Sequence, residues 1–267
     1  MFSGHNIFAL VIVYNMRCDE SPTCCALNAM VEKKINVLIY DNSTRDYGNK
    51  DYCEQCGWTY FGGAGNVGLS KAYNTCIDYL MAKGENGLLC LFDDDTQIDC
   101  VYFKLLHEAA VKGGHIFVPL IESAARLLSP CLIDPGHKTR PFPDAEAALN
   151  YTGDSLTAIN SGMAIDLSLF KDYRYDEHIF LDGVDHTFLM DMKSRGERIT
   201  VFAYRCKHSF SGDERPSKES ALIRFRMYSK DYQYILRDHK IAYLMLVGKR
   251  ALRLSLLYHS MDFFKYV

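Results

Sequence analysis

Short, unbroken apolar runs recur through the first 120 residues, and each stops at a cluster of turn formers, glycines or carboxylates. Residues 7–14, 35–40, 58–61, 88–92 and 115–120 all read this way. A run without polar alternation belongs to a strand buried on both faces, the situation of a parallel sheet covered by helices. The intervening stretches are helical. Ser21-Pro22 supplies an N-cap and a first helical position for a helix to about residue 33. Leu69, Ala72, Tyr73, Cys76, Ile77 and Leu80 share one face of a helix that ends at Gly84. A further helix runs to about residue 112, where Gly113-Gly114 stops it. This alternation predicts an α/β fold with a mainly parallel, Rossmann-like sheet flanked by helices. Ligands of such sheets bind beyond the carboxyl ends of the strands. Asp41, the glycines of residues 65–68 and Asp93-Asp94-Asp95 all fall at such ends, so three clusters are expected on one rim.

The second half is less regular. Residues 122–154 hold four of the seven prolines and read as an irregular insertion or flexible loop. Order resumes with Asn160-Ser161-Gly162, a strand at 163–165, a helix over 184–195 and a strand at 199–204, and from Ser217 the chain reads as helical. The expected organisation is a domain over 1–216, divided near residue 100, followed by a helical extension over 217–267. Residues 221–267 hold nine Lys/Arg against three Asp, a net +6. The chain totals −3, so the rest carries −9. No stretch reaches the ~18–20 apolar residues of a membrane span. The first apolar run lacks a preceding Lys or Arg and reads as a strand rather than a signal peptide. Ten scattered cysteines without a secretion signal indicate a reduced, cytoplasmic protein.

Asp93-Asp94-Asp95 is the strongest chemical signal. Adjacent carboxylates repel one another unless a cation neutralises them. In a strand, residues i and i+2 face the same way, so Asp93 and Asp95 can share one ion. Their hard oxygens suit Mg²⁺ or Mn²⁺, which in turn bind phosphate. The alternative is a solvated acidic turn capping the next helix. Residues 62–68 bring glycines to a helix N-terminus, a place that attracts anions, although an ordinary strand-to-helix turn looks the same. Asp182-Gly183-Val184-Asp185 either caps a helix or holds a general base over a pocket. His208 follows a strand and joins two Asp as a divalent-metal set, or is structural. The pair Cys53/Cys56 lacks a second Cys or His pair at zinc spacing and reads as incidental.

Taken in order, these clusters resemble the bacterial family 2 glycosyltransferases of the GT-A fold, in particular the rhamnosyltransferase-like branch. The matching stretches are Val13-Tyr14-Asn15, Tyr40-Asp41-Asn42-Ser43, the run from Gly65 to Asn74, Leu91-Phe92-Asp93-Asp94-Asp95, Asn160-Ser161-Gly162-Met163, Phe180-Leu181-Asp182-Gly183-Val184-Asp185, Arg195-Gly196 and His208. The resemblance implies an inverting, metal-dependent transferase. Its donor would be a nucleotide-sugar, dTDP-rhamnose or a UDP-hexose, and its acceptor a glycan or lipid-linked hydroxyl. Val13, Tyr14, Asn15, Asp41, Asn66, Gly68, Lys71, Asp93 and Asp94 would contact the nucleotide-sugar. Asp93, Asp95 and His208 would hold Mn²⁺ or Mg²⁺, Asp185 would be the general base, and Asp182 would face the acceptor. Two positions depart from the pattern. Tyr73 stands where many members have Arg, a contact Lys71 can replace, and Val184 stands where an acid usually precedes the base.

Two rival functions are a nucleotidyltransferase, for which no glycine-rich run with triphosphate-binding cations is found, and a glycosyltransferase-like scaffold that has lost activity. The basic tail carries no nucleic-acid motif, so nucleic acid is not an expected partner. Residues 241–267 mix Lys/Arg with leucines and fit an anionic membrane surface at the inner face of the cell membrane. Packing on the catalytic domain or a homodimer interface is the competing expectation.

Overall fold

The computed structural model describes residues 6–30, 35–123, 126–207 and 216–267. The first half alternates strand and helix as the apolar runs require: β1 (Ile7–Val13), α1 (Pro22–Ala29), β2 (Asn36–Asp41), α2 (Asn49–Cys56), β3 (Thr59–Gly62), α3 (Leu69–Ala82), β4 (Leu88–Asp93), α4 (Cys100–Ala110) and β5 (Ile116–Ser123). Every residue of β1 is buried. Phe8, Leu10 and Ile12 enter one core with α3, while Ile7, Ala9, Val11 and Val13 enter another with α1 and α4. Burying each large aliphatic side chain contributes about 1.5–3 kcal/mol, which is why the strand has no polar face.

The helix starts follow local chemistry. Ser21 accepts a hydrogen bond from the Cys24 amide and Pro22 opens α1. The helix ends at Ala29, with Met30 as its C-cap, short of the expected end near residue 33. Helix α2 has no counterpart in the sequence reading: it is short and polar, and left-handed Gly48 and Gly57 bracket it. It carries Cys53 and Cys56, and all ten cysteines are free.

The middle of the chain is regular, which corrects the expectation of an irregular loop. It forms β6 (Arg126–Ser129), β7 (Cys131–Ile133), β8 (Thr139–Pro141), α5 (Ala145–Leu149) and β9 (Leu156–Thr157). Three of these strands make a small antiparallel sheet in the order β8-β7-β9. Leu120, Phe142, Ala145, Ala148 and Leu156 share its core. Strands of two or three residues are too short to show alternation, and Pro141 is tolerated because β8 is an edge strand. The chain then adds β10 (Met163–Asp166), α6 (Val184–Ser194), β11 (Ile199–Lys207), α7 (Lys218–Ile235) and α8 (Lys240–Tyr258), and closes with a 3₁₀ segment over Met261–Tyr266.

The main sheet runs β11-β5-β10-β4-β1-β2-β3, with β6 on β5. Strands β1, β2, β3 and β4 are mutually parallel where they pair, as are β5 and β11. Strand β10 runs antiparallel between β4 and β5. Its start therefore lies at the same rim as the ends of its neighbours. Helices α7 and α8 form their own apolar core around Phe225, Tyr232, Val247, Ala251 and Phe263.

Candidate active site

Strand register lines up the polar clusters on one rim. Asp93 pairs beside Ile12, Val13 beside Asp41, and Asp41 beside Gly62. Adjacent strands lie about 4.8 Å apart, which puts the Asp93 and Asp41 backbones about 10 Å from one another across β1.

The carboxylate triplet is held from several sides. Ser161, at the entry to β10, donates its hydroxyl to Asp93 Oδ2 at 2.7 Å and lies 2.9 Å from the Thr96 hydroxyl. Thr23 of α1 donates to the Asp93 carbonyl at 2.6 Å. Asp94 turns toward β1 and accepts from the Tyr14 amide at 3.0 Å. Burial pushes its carboxyl up to about 6 even though that hydrogen bond pulls the other way. Asp95 is half-buried. Strand β11 brings Cys206 under the electrostatic influence of Asp95 and Asp93, whose charges add to burial in raising its thiol. His208, two residues further on, lies outside the described residues. Among the described residues no three His, Cys, Asp or Glu side chains form a metal set. The donor chemistry at Asp93 and Asp95 nevertheless fits a hard divalent cation of the Mg²⁺ kind, which takes one or two carboxylates and completes its shell with water and substrate phosphate.

On the other side of β1, Asp41 is buried at 5 % exposure and builds the loops around it. Its Oδ2 accepts from Asn49 Nδ2 at 2.9 Å and from the Tyr60 hydroxyl at 3.3 Å, and its Oδ1 accepts from the Ser43 amide at 3.1 Å. Asn49 also donates to the Met16 carbonyl and accepts from the Cys18 amide, so it ties β2 to the segment after β1. Val13 is buried and its carbonyl accepts from the Asn42 amide, while Tyr14 is about half exposed. Asn15 is left-handed at φ 52°. Its amide donates to Ser43 Oγ and its side-chain oxygen accepts from the Thr44 amide.

The glycine-rich stretch leads into α3. Asn66 Oδ1 accepts from the Gly68 amide, and Asn42 Oδ1 accepts from the Val67 amide. Gly68 is obligatory: φ is +85°, and a Cβ would sit 2.7 Å from the Phe180 ring and from the Phe180 carbonyl oxygen. That carbonyl accepts from the Leu69 amide at 2.7 Å, and Ser70 donates to the Ile179 carbonyl. The loop before α6 is thereby joined to the start of α3. Lys71 is exposed in the first turn of α3.

The same loop is gripped from the opposite side by α7. Asp231, 1 % exposed, accepts from the amides of Phe180 (2.9 Å), Leu181 (2.9 Å) and Asp182 (2.8 Å). Arg224 forks onto the Asp182 carboxylate, with Nη2 at 2.8 Å from Oδ1 and Nη1 on Oδ2. Gly183 has φ +81°, and a Cβ there would meet Ile235 at 2.8 Å. Val184 is buried in the core. Asp185 then opens α6, with its Oδ1 accepting from the His186 amide at 2.7 Å. His186 Nδ1 is 2.8 Å from Thr157 Oγ1 on β9 and 3.8 Å from Asp185 Oδ1.

Tyr73 lies within electrostatic range of Asp93 and Asp185. It is 1 % exposed on α3. Burial first, then the charges of Asp93 and Asp185, hold its phenol well above the ordinary range. The sequence reading missed Asn49, Arg224 and Asp231, and had Ser161 in a motif without its role as the partner of Asp93. Only Asp231 left a signal: it is the single acid inside α7 after the first turn.

No protein-family model matches the chain, and no curated protein matches it. Solved structures do. TarS of S. aureus is similar over 90 % of this chain at 15 % identity and a TM-score of 0.55, and this chain spans 43 % of TarS. Glucosyl-3-phosphoglycerate synthase of Mycobacterium tuberculosis, solved with Mn²⁺, UDP and glucosyl-3-phosphoglycerate, is similar over 85 % of this chain and 79 % of its own, at 11 % identity and TM-score 0.55. A 1–349 form of TarS with UDP-GlcNAc matches over 90 % of this chain and 73 % of its own, at 14 % identity and TM-score 0.51. The chain has the fold of these GT-A glycosyltransferases: a mostly parallel central sheet flanked by helices.

Proposed function

We propose that the chain is an inverting glycosyltransferase of family 2, in its rhamnosyltransferase-like branch. It moves a sugar from dTDP-rhamnose or a UDP-hexose to a hydroxyl of a polysaccharide, glycan or lipid-linked acceptor in the cytoplasm. The observation that carries this reading is the one rim on which Asp41, the glycine-rich turn and Asp93 end neighbouring strands, with the start of α3 hydrogen-bonded to the loop that leads into Asp185. The neighbours solved with UDP and Mn²⁺ or Mg²⁺ support a nucleotide-bearing donor and a divalent ion.

In this reading Val13, Tyr14, Asn15, Asp41, Asn66, Gly68, Lys71 and Asp94 form the nucleotide side. Asp93 and Asp95 hold the ion together with His208, and Ser161 fixes the Asp93 carboxylate through its 2.7 Å hydrogen bond. A divalent ion bound there supplies positive charge to the diphosphate as it leaves. Asp185 takes the proton from the acceptor hydroxyl. The acceptor oxygen bonds to the anomeric carbon while the bond to the diphosphate oxygen breaks on the opposite face, which inverts that carbon. Asp182, locked by Arg224, shapes the acceptor side.

The test is release of nucleoside diphosphate from a panel of dTDP- and UDP-sugars, with Mn²⁺ or Mg²⁺ and with excess EDTA. Metal-dependent turnover of one donor is the expected result. Release of pyrophosphate from a nucleoside triphosphate would instead identify a nucleotidyltransferase. Donor binding without turnover on any acceptor would identify a scaffold.

A further inference from the structure

Helix α8 keeps an apolar stripe in solvent. Its inner face packs through Val247, Ala251 and Ser255, and Arg250 stacks 3.9 Å from the Tyr228 ring of α7. On its outer face, Ile241 is 77 % exposed, Met245 71 %, Leu252 53 % and Leu256 69 %. Spacings of four, seven and four residues put these side chains within about 60° of arc, and the stripe runs about 22 Å along the axis. Exposed Lys249 and Arg253 border it, and exposed Lys240 stands at its start. The helix contains no Asp or Glu. No helix among the described residues is long and apolar enough to cross a membrane.

We propose that this face of α8 binds an anionic lipid surface, with Ile241, Met245, Leu252 and Leu256 in the acyl boundary and Lys240, Lys249 and Arg253 at the phosphates. An interfacial helix needs an apolar face bordered by cations, which is the arrangement present here. Charge selects lipid over a second copy of the chain. Stripe-on-stripe pairing would set the cations of one helix against those of the other, with no carboxylate on either to compensate, and like charges across an interface oppose association. The inference rests on α8 and is independent of the reaction assigned to the rim.

The experiment is flotation of the full chain with phosphatidylcholine vesicles, with and without phosphatidylglycerol, at low and high salt. Light scattering reports the mass in parallel. Flotation is expected only with phosphatidylglycerol, and it should weaken as salt rises. The double variant Met245→Glu/Leu256→Glu should abolish it. Lys249→Glu/Arg253→Glu should weaken it by at least about fivefold per cation removed. All four side chains are solvent-facing, so the thermal midpoint should hold. Val111→Glu, at the apolar residue that caps the end of α4 and is 70 % exposed, should float like the parent. Three results would each overturn the proposal. One is no flotation at low salt, and another is flotation that survives both double variants. The third is a dimer that Met245→Glu/Leu256→Glu splits, which would make the stripe a copy-to-copy interface.

Discussion

Asp231 gives the sharpest test of how the rim is built. One carboxylate accepts three successive amides, Phe180 on Oδ1 and both Leu181 and Asp182 on Oδ2. Asp231→Ala strands three inward-facing donors, each costing about 1–3 kcal/mol when left unmade. Part of that loss is offset, because burial of the carboxylate is itself unfavourable and raises Asp231 above the usual carboxylate range. We expect a net loss of about 3–4 kcal/mol. Asp231→Asn distinguishes this account from simple packing. Its single carbonyl oxygen can keep Leu181 and Asp182 but turns an NH₂ toward the Phe180 amide, so the loss should be about 1–2 kcal/mol. Urea unfolding measures both. Because the gripped loop leads directly into Asp185, Asp231→Ala should also lower kcat by about 10–100-fold. The donor KM should change less than kcat, since most of the residues proposed for the nucleotide side sit on β1, β2 and β4 and only Asn66, Gly68 and Lys71 lie beside the gripped loop. Equal destabilisation by Ala and Asn, or an unchanged kcat in the alanine variant, would refute the reasoning.

Three further outcomes follow from the same geometry. Asp185→Asn keeps the side chain's shape but cannot take a proton, so kcat should fall by ~10²–10⁴ with donor binding unchanged by calorimetry. Near-normal turnover would exclude Asp185 as the base. Asp95→Ala should abolish both turnover and the tightening of nucleoside-diphosphate binding by Mn²⁺, whereas binding that still responds to Mn²⁺ would remove Asp95 from the metal set. His137 is buried, its Nδ1 finds no hydrogen-bond partner among the described residues, and burial pushes its imidazole down to about 4. A depressed imidazole stabilises the fold above the unfolded value near 6.5. About 3 kcal/mol should then be lost as pH falls from about 6.5 to 4. His137→Asn, a residue that tolerates the φ of 58° found here, should flatten that slope in pH-dependent urea melts. An unchanged slope would assign the acid sensitivity elsewhere.

Apolar runs announce strands buried on both faces, so β1, β2, β4 and β5 were legible from residue order, as was the rim where Asp41 and Asp93 end their strands. Helix α2 was not, because eight mostly polar residues between two glycines show no apolar period. The small sheet was hidden for a related reason: Leu156-Thr157 is too short a strand to alternate. The direction of β10 cannot be read from Met163-Ala164-Ile165, since an apolar run has no polarity. That is why Ser161 was noticed as part of a motif but not as the partner of Asp93. Asp182 looked like a residue free to meet an acceptor. Its Arg224 partner is 42 residues away, and only the docking of α7 brings the two together.

The reversed strand also has a bearing on the order in which the molecule assembles. Ser161 reaches Asp93 from 68 residues away, across β5, the small sheet and α5. Closing a loop of that size is entropically slower than pairing β1, β2 and β3, whose successive members are joined by single helical crossovers. The β1–β3 part of the rim, with Asp41 and the glycine-rich turn, can therefore form while the hydroxyl that fixes Asp93 is still absent. The loop carrying Asp185 is later still, because Asp231 must arrive from a helix that follows everything else in the sheet. During synthesis from the N-terminus, the strand ends carrying Asp41 and Asp93 emerge well before Ser161 and Asp231, so on the proposed function a nascent chain would have its donor side before the parts that complete the site.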